Sequence, residues 1–69
     1  MNEWLAARAR ALGVDDLSPE QVSQLLGLAG DAAHESGQRT NAPLLCYLVG
    51  RAQGDRALDE ILEIVKSTS

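Results

Sequence analysis

Apolar residues recur along this chain at helical spacing, and no segment alternates apolar with polar as a half-buried strand does. The clearest case is the last segment, where Leu58, Ile61, Leu62 and Val65 follow i, i+3, i+4, i+7. That spacing puts four side chains on one face of a helix. Ala57 and Ile64 widen the face. Upstream, Val22, Leu25, Leu26, Ala29, Ala32 and Ala33 make a second helical stripe, while Ser23, Gly27, Gly30 and His34 lie well round the same cylinder. A third segment presents Leu44, Leu45, Leu48, Val49 and Ala52 on its main face, with Cys46, Gly50 and Gln53 opposite. In the first, Trp4, Leu5, Ala9 and Leu12 share a broad face that includes Arg8, one turn after Trp4. The Arg8 stem is expected to pack on the indole while its guanidinium reaches water.

End signals delimit these segments. Asn2 is placed to cap the first helix and Gly13 to end it in a left-handed turn. Ser18, Pro19 and Gln21 give the second helix a capping box with proline at its first position, and Leu17 with Val22 suits a hydrophobic staple. Gly37 terminates it. Pro43 fits the start of the third helix, Gly54 and Asp55 a turn, with Asp55 as N-cap of the fourth. The prediction is an all-α, compact four-helix domain occupying residues 1–69 as one unit, with helices over about 3–12, 19–36, 43–53 and 56–66. Because the stretch 42–49 carries no charge, the third helix is expected to be the one the others wrap.

Size qualifies that picture. A chain of 69 residues buries only about 60% of its unfolded surface, so its core is thin and a partner has room to add stability. There is no Phe, one Trp and one Tyr, so the core comes from Leu, Ile, Val and Ala. The net charge is −4. That argues against nucleic acid, whose phosphates are neutralised by basic side chains, and against a helix-turn-helix DNA binder. The run 42–49 is far short of the roughly 20 residues a membrane span needs. One cysteine allows no internal disulfide, and Glu3, Arg8 and Arg10 break up any signal-peptide core, so a cytoplasmic setting is expected.

Candidate chemistry surrounds the turn between helices two and three: Asp31, His34, Glu35, Arg39, Thr40 and Asn41. Asp31 and Glu35 stand one turn apart near the negative end of the helix dipole, where acids repel each other and the dipole. A compensating cation is expected. The ordinary source is Arg39 or Arg51 folding back to pair with them. A metal held by Asp31, His34 and Glu35 has too few strong ligands, with one His and no Cys partner. An anion site is the alternative: Arg39, Asn41 and His34 would meet backbone amides of Leu44 and Leu45 at the helix N-terminus. For the glycine stripe, close packing of another helix is the ordinary expectation, and a subunit or ligand contact along Ser23, Gly27, Gly30 and His34 the alternative. Catalysis has little support. Cys46 lies mid-helix in an apolar run, where its thiol behaves as a packing group. No enzyme activity, metal or cofactor is expected.

The pairs Trp4-Leu5 and Ala33-His34, the helix end Ala11-Leu12-Gly13, Arg39, Ala42-Pro43-Leu44 and the run from Leu48 through Val49, Gly50, Arg51, Ala52 and Gln53 to Gly54 resemble an actinobacterial family of small helical domains of unknown function. Its members occur alone or fused to the C-terminus of proteins similar to the molybdopterin-guanine dinucleotide biosynthesis nucleotidyltransferase. The resemblance covers nearly the whole chain, and His34, Arg39 and Pro43 match its pattern. It implies an association with molybdenum-cofactor biosynthesis, not nucleotidyl transfer, since the chain has neither a strand pattern nor a glycine-rich phosphate loop. The expected function is a non-catalytic accessory or protein-interaction module. Its partner would be such an enzyme or a second copy, with no nucleic acid and no membrane; a small anion-binding domain is the alternative.

Overall fold

The computed structural model describes residues 1–68 and contains four helices: α1 (Glu3–Leu12), α2 (Pro19–Ser36), α3 (Asn41–Gln53) and α4 (Leu58–Lys66). The described residues include no strand. The all-α reading therefore holds, and α1 and α2 begin and end where their caps predict. The Asn2 side chain accepts the Leu5 amide at 2.9 Å, and Gly13 and Gly37 close both helices with φ of 73° and 70°. At α2 the capping box is complete: Ser18 Oγ accepts the Gln21 amide at 3.1 Å and Gln21 Oε1 accepts the Ser18 amide at 2.9 Å. Ser18→Ala is expected to lower the unfolding free energy by about 1 kcal/mol, read as a shift of the urea midpoint at constant slope; an unchanged midpoint would mean the box is redundant.

The other two helix starts differ from expectation. α3 begins at Asn41 rather than 43, because the Asn41 and Ala42 amides already turn onto the carbonyls of Gln38 and Arg39. Thr40 is its N-cap, in helical conformation and without a side-chain cap bond. Pro43 falls inside the first turn, where a missing N–H costs little. α4 begins at Leu58, and Asp55 is not its cap; that position is Ala57. Residues 54–57 are consumed by the turn itself. Arg56 donates back to the Ala52 carbonyl at 2.7 Å, and Gln53 Nε2 donates to the Arg56 carbonyl at 3.0 Å.

The core sits on α4 rather than on α3. Leu58, Ile61 and Leu62 are buried there together with Val49 of α3, and Leu25, Leu28, Leu45 and Val65 pack against them half-buried. α3 is not wrapped. Its inward face is Ala42, Leu45, Cys46, Val49 and Gln53, while Leu44, Leu48 and Ala52 of the expected main face are exposed. α2, the longest helix, buries no residue fully. In α1 the inward residues are Ala6 and Ala9, whereas Trp4 and Leu12 are exposed. The Arg8 guanidinium, expected to reach water, itself lies over Trp4, its carbon 3.9 Å from the ring centroid, and donates to the Trp4 carbonyl at 3.3 Å. The physical reason is shortage of chain: the core cluster draws on α2, α3 and α4 alone, and so few residues leave none to spare for enclosing a neighbour.

The result is a large surface. The chain exposes 5391 Å², whereas folded monomers of its 7.4 kDa expose about 4200 Å². Its radius of gyration is 12.4 Å against about 11 Å for a closely packed chain of this length.

Candidate interaction groove

A groove of about 1170 Å³ lies between α2, α3 and α4. Its α2 wall includes Ser23, Gly27 and Leu28, its α3 wall Leu44, Leu45 and Leu48, and its α4 wall Leu62 and Val65. Leu44 and Leu48 are 62% and 56% exposed, so the groove is lined by leucine side chains that the fold leaves in water. Gln24 Nε2 donates to an Asp59 carboxylate oxygen and ties α2 to α4.

The glycine stripe is not a packing seam. A Cβ built on Gly27 or on Gly30 meets nothing within 4 Å, so the expected close approach of a helix from the same chain does not occur. Ser23 and Gly27 line the groove; Gly30 and His34 lie outside it. The four stripe positions therefore do not form one lining.

Charge follows the same walls. Asp31 and Glu35 of α2 and Asp59 and Glu63 of α4 line the groove, with Lys66 as its one cation among the described residues. The expected pairing of Arg39 or Arg51 with Asp31 and Glu35 is absent. Among the described residues the one ion pair is Arg10 with Glu3 at 3.1 Å, both exposed on α1. Arg51 lies over Tyr47 instead, 5.8 Å from its ring centroid, and Arg56 serves the α3 carboxyl end. Each acidic pair is spaced i, i+4 on its helix, an arrangement of like charges that weakens a helix by a few tenths of a kcal/mol.

The backbone donors expected to serve an anion at the start of α3 are engaged within the helix and its lead-in. A helix that begins at Asn41 commits the Leu44 and Leu45 amides to the carbonyls of Thr40 and Asn41 in the i→i−4 ladder. The amides of Asn41 and Ala42 are engaged as well, and Pro43 has none. Asn41, Leu44 and Leu45 instead line the groove, while His34 and Arg39 do not. Ser36 closes this turn: its Oγ donates to the Ala32 carbonyl at 2.6 Å and accepts the Gln38 amide at 3.2 Å. Among the described residues no three His, Cys, Asp or Glu side chains are grouped to hold a metal ion, so Asp31, His34 and Glu35 do not form such a set. Cys46 is half-buried in mid-helix. No helix among the described residues is long and apolar enough to cross a membrane.

Sequence comparison places this arrangement in a family. A family model described as a domain of unknown function, DUF6457, matches residues 1–69. The chain belongs to the DUF6457 family. No curated protein and no solved structure matches this DUF6457 domain. The groove residues that sequence reasoning missed are Leu48 as an exposed rather than a core leucine, and Asp59 and Glu63. The acidity of the last helix was visible in the DUF6457 sequence; its place in one groove with Gly27 was not, because that depends on how α4 packs.

Proposed function

We propose that this DUF6457 domain is a non-catalytic accessory module whose task is to bind another protein. The observation that carries the reading is the surface itself: about 1200 Å² more is exposed than folded monomers of this mass leave in water. One partner's share of a standard interface is about 800 Å², so the excess is of the size that association removes. The exposed leucines of α3 supply apolar contact area, and the open Gly27 position gives a partner close access to the α2 backbone.

The resemblance to domains fused to molybdopterin-guanine dinucleotide biosynthesis nucleotidyltransferase-like proteins supports a partner of that kind, in an actinobacterial cytoplasm, with a second copy as the other candidate. A protein that serves such an enzyme needs no catalytic residues of its own. The test is direct. Sedimentation velocity of the purified domain, alone and with a purified nucleotidyltransferase of this type, is expected to show a complex with one of the two. A monomer that binds neither copy nor enzyme with a Kd below about 1 mM would overturn the proposal.

A further inference from the structure

We propose that the groove between α2, α3 and α4 receives a basic amphipathic helix from a partner protein. This rests on the interaction-module reading and names the chemistry of the occupant. Helix-in-groove recognition places an apolar helix face on an apolar floor and leaves the flanking residues to meet the rims. Both elements are present. Leu44 and Leu48 are exposed on one wall and Gly27 opens another. Acidic pairs stand on two separate helices, Asp31 with Glu35 on α2 and Asp59 with Glu63 on α4. Among the described residues none of the four is in an ion pair. A helix with an apolar stripe flanked on both sides by Lys or Arg satisfies the floor and the rims at once, and its charge raises the rate of encounter.

The charge also decides against a second copy as the occupant. Groove against groove would set acids upon acids, and the whole chain is acidic at −4. The basic residues of α1 are already engaged, Arg10 with Glu3 and Arg8 on Trp4.

The probe is a synthetic Leu/Lys amphipathic helix of about five turns, roughly 18 residues, with a Leu/Glu peptide of the same apolar pattern as control. Amide shifts in the isotope-labelled domain are expected to move at Gly27, Leu44, Leu48 and Leu62 with the Lys peptide and not with the Glu peptide. The double reversal Glu35→Lys with Glu63→Lys is expected to weaken binding by about tenfold or more, while Asp15→Lys with Asp16→Lys, outside the groove, leaves it unchanged. Gly27→Leu is expected to abolish it with the thermal transition retained, which separates blockage from unfolding. Equal weakening by both double reversals, or shifts centred on α1, would reduce the effect to non-specific charge attraction and overturn the groove. Repeating the nucleotidyltransferase measurement with the Glu35→Lys, Glu63→Lys variant separates the two proposals: undiminished binding there would sink the groove and leave the interaction module standing.

Discussion

Ile61→Ala is expected to lower the unfolding free energy by about 2–5 kcal/mol. Ile61 is 3% exposed and lies in one cluster with Val49, Leu58 and Leu62. Truncation removes the transfer energy of the lost carbons and leaves a void that a thin core closes only in part. A domain of 69 residues has a total stability of roughly 3–10 kcal/mol, so the variant is expected to be near its unfolding midpoint in dilute urea. The comparison that gives the result meaning is Ile64→Ala. Ile64 is 53% exposed on the same helix, and its replacement is expected to change stability by no more than about 0.5 kcal/mol. Far-UV circular dichroism across a urea series reads both. Equal losses for the two variants would show that α4 presents a different face to the core.

Gly27→Ala with Gly30→Ala is expected to act in the opposite direction, raising stability by about 2 kcal/mol in total. A glycine inside a helix costs about 1 kcal/mol relative to alanine because its backbone loses more freedom on folding. That cost is normally retained where a neighbour leaves no space for a methyl group. Here the added Cβ meets nothing at either site, and neither residue has the positive φ that would strain an alanine. Gly37→Ala supplies the contrast: with φ at 70°, alanine there is expected to lose about 1–2 kcal/mol. A destabilised Gly27→Ala would show that a side chain occupies the space above it. A stabilised one agrees with a position held open for something outside the chain, since a free gain in stability is often left unused where function needs the space.

Much of the fold was legible from residues alone, and the limits of that legibility are specific. Where a signal is local it carried through. Ser18, Pro19 and Gln21 form their cap with atoms three residues apart, and Gly13 and Gly37 end helices because only a left-handed residue closes them there. The i, i+3, i+4, i+7 spacing of Leu58, Ile61, Leu62 and Val65 likewise named the face of α4 that faces inward. α3 was misread for the converse reason. Leu44 and Leu48 are as apolar as Leu45 and Val49, and periodicity alone cannot choose between adjoining faces when all are apolar. α3 starts early because the Asn41 and Ala42 amides already turn onto the Gln38 and Arg39 carbonyls, and α4 starts late because Gln53 and Arg56 hold the turn before it through backbone carbonyls.

The candidate site shows the same division. The spacing of Asp31 and Glu35 and their place on α2 predicted a compensating cation, and among the described residues neither acid is in an ion pair. Arg39 and Arg51 were near enough in sequence to provide it, yet Arg51 lies over Tyr47 and neither reaches the acids. Asp59 and Glu63 joined the same groove only through the packing of α4, with Gln24 holding Asp59.

Sequence by itself determined the class, the four helices, most of their caps and the membership in one family, because these depend on interactions within a few residues or on pattern along the whole chain. Tertiary structure decided which apolar faces are buried and which are left in water. That choice depends on how much surface a few short helices can share, and in a chain this small the answer leaves Leu44, Leu48 and Gly27 exposed in one groove with the carboxylates of Asp31, Glu35, Asp59 and Glu63.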